Sequence, residues 1–296
     1  MATSPTSDQL LVIIDPVALR TDGESVRIAK DVLSAGAAST KVCLPQDPEE
    51  FARVLARRGS RRPVVIGDDR ALTRAVGLLH RQRELAECVL SVVPVGTVLG
   101  VAQALGVPTG AVAAARAVLD GAERRLDVLV DDSDGVVLGA LRIPPVPLAP
   151  REARDEAAEP NGVDGAEAGG RLWLRTCQSL VRTLVPTRPS RISPAPAPPG
   201  PARLRIEVDG VTLIDLDQPV EAVSVTPGTG ASGTAAVEVR PLSLGAEAAP
   251  LQARGRTVTV SGADFRYRTD AAIAGPVRRR TWTVREGALG LMLPGR

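Results

Sequence analysis

The residues with the clearest chemical potential form a short turn between an apolar run and a helix. Residues 64–66 are apolar, Gly67-Asp68-Asp69-Arg70 follows, and helical spacing begins at Ala71. Where a parallel strand turns into a helix, backbone N–H groups and the positive end of the helix dipole meet at a place suited to phosphate. Aspartate oxygens there suit magnesium. The turn therefore predicts a phosphate and metal site.

A second interpretation of the same turn requires no ligand. Aspartate side chains at the start of a helix commonly accept hydrogen bonds from the first amides of that helix, which have no partner inside it. Asp68 or Asp69 fits this capping role. Local sequence leaves both interpretations open.

Another turn with a glycine and a hydroxyl follows one strand–helix unit later. The segment Val93-Pro94-Val95-Gly96-Thr97 ends an apolar run, and Gly96 lies 29 residues after Gly67. Because the carboxyl ends of neighbouring parallel strands share one edge of a sheet, we expect the two turns to lie side by side.

The elements that must position these turns alternate along the first part of the chain. Apolar runs typical of buried strands are separated by segments with helical spacing. The predicted strands of this part are residues 10–14, 41–44, 63–66 and 89–93. The pattern indicates a layered α/β domain with a mostly parallel sheet. After it, Asp134-Gly135 predicts a hairpin at which the sheet turns antiparallel.

From residue 203 the pattern changes to short alternating strands without helices, which predicts an all-β sandwich. The expected organisation is an α/β domain over residues 1–143, a linker over 144–202 and the β-sandwich over 203–296. The linker is rich in Pro, Ala and Gly and contains one amphipathic helix at about residues 172–184. The last strand, residues 289–293, is assigned to either domain.

Amino-acid composition does not indicate a particular class of binding partner. The formal charge is +2, from 36 basic and 34 acidic residues spread along the chain, so no strong field favours nucleic acid. Three cysteines without a CxxC pair fit a reducing cytoplasm. No signal peptide and no apolar run of membrane-spanning length is present in the sequence, so any membrane contact is expected to be peripheral. The sequence does not determine the oligomeric state and is compatible with a homodimer.

The ordered motifs resemble the diacylglycerol kinase catalytic domain, a family that includes sphingosine-kinase-like enzymes and is related to the NAD kinases. The resemblance covers roughly residues 10–141, and the later strands look like the family's C-terminal sandwich. The segments that carry it are Leu11-Val12-Ile13-Ile14-Asp15-Pro16, Val64-Val65-Ile66-Gly67-Asp68-Asp69-Arg70-Ala71, Val93-Pro94-Val95-Gly96-Thr97, Ala104-Leu105-Gly106-Val107-Pro108 and Arg124-Arg125-Leu126-Asp127.

The resemblance implies ATP-dependent phosphoryl transfer to a lipid hydroxyl, with ATP and Mg²⁺ as cofactors. Asp69 falls on the family's loop aspartate and is implied to organise magnesium. Asp270 falls on the implied general base. The positions implied to contact the nucleotide are Asp15, Gly67, Asp68, Arg70, Gly96 and Thr97.

The altered loop motivates a second hypothesis, a catalytically silent relative that acts as a nucleotide-binding, lipid-binding or regulatory module. The family's loop is Gly-Gly-Asp-Gly-Thr, and this chain has Asp68, Arg70 and Ala71 in place of two glycines and the threonine. Side chains and an extra negative charge therefore stand where backbone approaches phosphate. Asp270 also fits a plain turn residue.

A run of three arginines, Arg278-Arg279-Arg280, also has two interpretations. Its guanidinium groups suit phosphates or lipid headgroups. A solvated sheet edge, where arginines discourage pairing with another chain, is the interpretation we prefer.

Overall fold

The computed structural model describes residues 9–145, 202–242, 249–270 and 272–295. Strands and helices alternate in the first part of the chain. The elements of this part are β1 (Gln9–Ile14), α1 (Pro16–Thr21), α2 (Gly23–Gly36), β2 (Ser39–Cys43), α3 (Pro48–Ala56), β3 (Arg62–Gly67), α4 (Asp69–Arg81), β4 (Val89–Pro94), α5 (Gly100–Ala104) and α6 (Ala111–Asp120).

Strands β1 to β4 pair in parallel in the order β4-β3-β1-β2. Their side chains are buried on both faces, as the continuous apolar runs predict. On one face, Leu10 and Val12 pack with α2 and α6, and on the other, Leu11 and Ile13 pack with α3 and α4. Since β1 lies between β2 and β3, the chain reverses its direction of winding there, and the carboxyl ends of β1 and β3 flank this switch point.

The remaining elements are strands. They are β5 (Ala122–Asp131), β6 (Val136–Val137), β7 (Leu141–Ile143), β8 (Ala202–Val208), β9 (Val211–Ile214), β10 (Pro219–Pro227), β11 (Ala235–Pro241), β12 (Leu251–Gly255), β13 (Thr257–Thr269) and β14 (Ala272–Leu293). Among the described residues they pair antiparallel with one another. Most of their buried side chains form a core that includes Tyr267 and Trp282, whose rings meet edge to face with centroids 5.2 Å apart. Val128 on β5 and Leu291 on β14 instead pack in the core of α3 and α4.

The long strand β14 connects the parallel strands to the antiparallel ones. Its first part pairs antiparallel with β13, and its second part pairs antiparallel with β5. Its end also pairs in parallel with β4, through Gly290 and Leu291. The result is one sheet of 14 strands, in which the parallel strands are continuous with the antiparallel ones.

The predicted fold class, a layered and mostly parallel α/β domain followed by a separate all-β sandwich, is wrong. Strands hold 47% of the described residues and helices 25%, and most of the sheet is antiparallel. Apolar alternation marks strands but does not identify their partners. The sequence analysis left residues 289–293 open to either domain and did not reveal that β14 adds to the open edge of β4 and carries β5 with it.

The expected linker lies almost entirely outside the described residues. This applies to the amphipathic helix at 172–184 and to the Pro-rich segment that follows it. The described elements belong to one compact unit. None of the helices in the described part is long and apolar enough to span a bilayer.

Asp127 on β5 ties three segments together where β14 changes partners. It is 3% exposed. Its Oδ2 accepts hydrogen bonds from the backbone amides of Ser232 (2.9 Å) and Gly233 (2.8 Å) and from the Ser232 hydroxyl (3.0 Å). Its Oδ1 accepts from the Gly287 amide at 2.8 Å, inside the bulge that shifts the β14 register. One buried carboxylate thus satisfies four donors.

We expect Asp127→Ala to lower the free energy of unfolding by about 1–3 kcal/mol, because the partly buried amides of Gly233 and Gly287 would lose their acceptor. Urea unfolding followed by circular dichroism measures this loss. The control is Asp217→Ala, an exposed carboxyl on the β9–β10 turn, which should change stability by less than about 0.5 kcal/mol. Equal effects of the two substitutions would contradict the assigned role of Asp127.

Candidate functional site

The turn between β3 and α4 is a closed helix cap. Oδ1 of Asp68 accepts hydrogen bonds from the amides of Arg70 (3.0 Å) and Ala71 (3.1 Å). Gly67 is required by close packing, since a Cβ there would lie 2.6 Å from the Cβ of Ala71 and 3.0 Å from that of Asp15. The first amides of α4 are therefore already paired within the chain.

Asp69 turns away from this cap and binds the next helix. Its side chain is 1% exposed, and its two carboxylate oxygens accept from the amides of Val101 (2.8 Å) and Ala102 (3.0 Å) in α5. Its own amide donates to the Val98 carbonyl at 2.9 Å. Burial raises the pKa of Asp69, and the bonds from the two amides oppose that shift. Asp69 thus fastens the β4–α5 turn to the β3–α4 turn.

The two glycine turns lie side by side, at neighbouring strand ends. Gly67 is in register with Pro94, and the Val95 amide donates to the Gly67 carbonyl at 3.0 Å. Gly96 has φ +134°, and a Cβ there would lie 3.1 Å from the Cβ of Asp68. The Thr97 side chain is exposed.

Asp15 and Arg74 form an ion pair at the end of β1. Oδ1 of Asp15 caps α1 by accepting from the Val17 amide at 2.8 Å, and Oδ2 lies 3.1 Å from Nη1 of Arg74. The Arg74 guanidinium also lies over the Phe51 ring, 5.8 Å from its centroid. Sequence reasoning missed Arg74, because its partner stands 59 residues away. Arg70, in contrast, is exposed and does not fill an interior site.

Asp270 follows β13 and holds the segment between β6 and β7. Its carboxylate oxygens accept from the amides of Leu138 (2.7 Å) and Gly139 (2.8 Å). Its φ is +29°, a conformation that side chains rarely adopt, and these bonds help to stabilise it. Burial raises the pKa of Asp270, and the charge of Asp69 raises it further.

Asp69 and the partner of Asp270, Gly139, both lie close to Val101. The Val101 amide donates a hydrogen bond to Asp69. A Cβ added at Gly139, whose amide donates to Asp270, would lie 3.7 Å from Cγ2 of Val101. The structure therefore brings together both predicted catalytic residues and the two glycine turns. Nothing in the local sequence around residues 138–139 indicated that this segment is part of the site.

The carboxylates of this site do not form a ready-made set of metal ligands. Among the described residues, no three His, Cys, Asp or Glu side chains stand close enough to share a metal. Both oxygens of Asp69 are already bonded to amides, and Mg²⁺ requires near-octahedral oxygen ligands at about 2.1 Å.

Two surface grooves lie away from these carboxylates. One, of about 420 Å³, lies across β10, β11 and β12, and the other, of about 340 Å³, lies beside α6.

The first part of the chain is similar to a known family. Residues 9–130 match the family model described as the diacylglycerol kinase catalytic domain. The match covers less than half of the 296-residue chain. The resemblance that the motifs carry is thereby confirmed over this range.

Solved structures extend the likeness in fold beyond the diacylglycerol kinase catalytic domain. The crystal structure of a diacylglycerol kinase from Bacillus anthracis strain Sterne is 13% identical, with a TM-score of 0.66 and 98% of each chain covered. A second structure from the same organism is 14% identical, with the same TM-score and coverage. At such identities the likeness is one of fold. No curated protein matches the chain.

The raised pKa values of Asp69 and Asp270 predict an unusual dependence of folding stability on pH. A carboxyl with a higher pKa in the folded than in the unfolded chain adds stability below the unfolded pKa of about 3.9, and this contribution is lost as pH rises through the folded value. The quantity to compare is the free energy of unfolding of the wild type minus that of Asp270→Asn. We expect this difference to fall as pH rises above about 4. Urea titrations at a series of pH values measure this difference.

Asp22 provides a control of opposite sign. The hydrogen bonds from Ser25 lower its pKa, so its contribution is present above the unfolded pKa and is lost as pH falls. The stability of the wild type relative to Asp22→Asn should therefore rise with pH. If the Asp270→Asn difference also rises with pH, the pKa of Asp270 is not raised.

Proposed function

We propose that this chain is a non-catalytic member of the diacylglycerol kinase family, a binding module that retains the fold but not the phosphoryl-transfer site. The observation that carries this proposal is the pairing of the first amides of α4 and α5 with Asp68 and Asp69. Such amides bind phosphate when they are free. Here, carboxylates of the same chain occupy them.

Charge also opposes a bound nucleotide at these turns. Phosphate oxygens beside Asp68 would face a like charge, and two unit charges 4 Å apart at an effective dielectric of about 20 repel by about 4 kcal/mol. Arg70 is the nearest cation in sequence, but its exposed side chain is strongly solvated. Displacing Asp68 from its two amides would in addition remove the cap of α4.

Phosphoryl transfer from ATP to a diacylglycerol-like lipid hydroxyl is the second candidate function. It is favoured by the position of Asp270, which shares Val101 as a neighbour with Asp69 and has a raised pKa suited to a general base. In that candidate, Asp270 accepts the proton of the lipid hydroxyl. Gly67, Gly96 and Thr97 line the phosphate side, and Asp15 and Arg70 stand at its rim.

We expect purified protein to form no phosphorylated product from ATP, Mg²⁺ and vesicles that contain diacylglycerol, and to release no binding heat with Mg-ATP in calorimetry. The physical reason is that the amides needed for phosphate are occupied. Radiolabel transfer from the γ-phosphate measures turnover. Robust turnover that is abolished by Asp69→Asn but not by Asp31→Asn, an exposed carboxyl on α2, would establish the second candidate instead.

Restoring the loop provides the complementary comparison. Asp68→Gly removes the carboxylate from the Arg70 and Ala71 amides at a cost of a few tenths of a kcal/mol. Combined with Arg70→Gly and Ala71→Thr, it should yield measurable Mg-ATP binding where the wild type shows none. If the restored loop still binds no nucleotide, occupied amides are not the reason for its absence.

A further inference from the structure

We propose that the groove across β10, β11 and β12 binds a sugar or polyol that carries one phosphate or carboxylate group. The side chains that define this sheet groove are Ser224, Thr226, Ala236, Glu238, Gln252 and Arg254. None of them belongs to the candidate functional site, and β12 stands at the opposite end of the sheet from β2. The sheet groove is therefore a second site, beyond the one that the proposed function concerns.

Strand register places the six side chains of the sheet groove in two rows on one face of the sheet. The first row is Ser224, Glu238 and Gln252, and the second is Thr226, Ala236 and Arg254. The residues between the rows, Val225, Val237 and Ala253, belong to the core or pack against it, so the two rows face outward. Neighbouring strands lie about 4.8 Å apart, and side chains two residues apart on a strand are separated by about 7 Å. The rows thus cover an area that suits one sugar ring with a substituent.

The depth of the sheet groove comes from the sizes of its side chains. Ser224, Thr226 and Ala236 are short and form the floor, whereas Gln252 and Arg254 are long and stand along the outer strand β12. The enclosed volume is about 420 Å³. Binding sites for small molecules typically measure about 300–1,000 Å³. The groove is therefore large enough for a monosaccharide phosphate.

Most polar groups of the sheet groove have no partner in the protein. Within the described ranges, no hydrogen bond or ion pair engages the side chains of Ser224, Thr226, Gln252 or Arg254. Glu238 is the exception, because its Oε1 accepts from Nε of Arg240 at 3.1 Å. The groove thus offers two hydroxyls, one amide, one carboxylate and one guanidinium to a ligand. Sugar hydroxyls, which both donate and accept, match such a mixed set.

The charge of the sheet groove fits a single anionic group. Arg240 balances Glu238, so the guanidinium of Arg254 leaves one positive charge at the exposed end of the second row. Guanidinium groups bind phosphate or carboxylate oxygens through two parallel hydrogen bonds. A polyanion such as nucleic acid requires several free cations, and the six side chains of the groove supply one. The geometry therefore favours one anion with hydroxyls attached.

The lining of the sheet groove disfavours apolar and aromatic ligands. Its apolar surface comes from Ala236, Val237 and Ala253, and Val237 is almost fully buried. The lining residues include no aromatic ring on which a nucleobase could stack. An acyl chain or a base would therefore gain little contact area here. A hydroxylated ligand, in contrast, replaces its bonds to water with bonds to the two rows.

Titration of the full chain with glucose 6-phosphate, followed through the backbone amide resonances, tests this proposal. We expect the resonances that shift to belong to β10, β11 and β12. Glucose lacks the anion and should bind about tenfold more weakly or less, since a hydrogen bond to a charged group contributes a factor of about this size. Inorganic phosphate lacks the hydroxyls and should also bind more weakly than glucose 6-phosphate.

Two substitutions separate charge from shape. Arg254→Gln should weaken binding of glucose 6-phosphate about tenfold or more, because it removes the partner of the anion. Ala236→Leu should abolish binding while it keeps every polar group, because the larger side chain fills the floor. The matched controls are Arg279→Gln on β14 and Ala56→Leu on α3, both at exposed positions. They should bind as the wild type does, and circular dichroism checks that all four variants are folded.

Three outcomes would overturn the assignment of the sheet groove. The first is the absence of shifts in β10, β11 and β12 at any concentration of glucose 6-phosphate. The second is equal binding of inorganic phosphate and glucose 6-phosphate, which would mean that the hydroxyls are not recognised. The third is equal loss in Arg254→Gln and Arg279→Gln, which would mean a response to net charge alone.

The same ligand chemistry occurs in soluble sugar phosphates and in the headgroup of phosphatidylinositol. Co-sedimentation with phosphatidylcholine vesicles that contain phosphatidylinositol distinguishes these sources. Binding to the vesicles that is lost in Arg254→Gln supports the headgroup, and binding of glucose 6-phosphate alone supports the soluble ester.

The sheet groove and the proposed function fail separately. Lipid phosphorylation at equal rates by the wild type and by Arg254→Gln would remove the non-catalytic proposal and leave the sheet groove standing. Absence of both sugar phosphate binding and lipid phosphorylation would remove only the sheet groove.

Discussion

The arrangement of the site depends on the demand of one buried carboxylate for hydrogen-bond donors. Asp69 is almost fully enclosed, and a charged group in that position is tolerated only where donors surround it. The amides at the start of α5 meet that demand, and in doing so they bring the β4–α5 turn against the β3–α4 turn. The same bonds consume the donors that would otherwise face a ligand. The arrangement of the two turns therefore depends on Asp69, and the same bonds support the proposal that the site does not bind phosphate.

The capping interpretation, left open by the local sequence, describes how both aspartates behave. Asp68 caps its own helix, as its position at the first turn predicts. Asp69 accepts hydrogen bonds from the first amides of α5, about 32 residues further along the chain. No local sequence pattern indicates that this helix is its partner. Two adjacent residues of the same type thus serve different helices, because successive side chains at a helix start point in different directions.

Much of the local structure was predictable from sequence, whereas the pairing of distant strands was not. The helix starts at Asp15, Asp22, Asp47 and Asp68 each follow from a capping side chain. The parallel pairing of β1 to β4, although not their order, follows from continuous apolar runs that alternate with helices. The partners of β14 could not be inferred, because alternation specifies which face of a strand is buried and not what lies beside it. The placement of Asp270 against residues 138–139 depends on that same long-range pairing.

The pairing of β4 with β14 has a consequence for how the chain folds. It places Leu90 in register with Leu291, roughly 200 positions further along the chain. Contacts between such distant segments raise the contact order and slow the search for the native state. Until β14 arrives, the edge of β4 presents unpaired amides and carbonyls next to apolar side chains. Intermediates of this kind are prone to aggregate. Slow docking of β14 therefore increases the fraction of chains that aggregate before they fold.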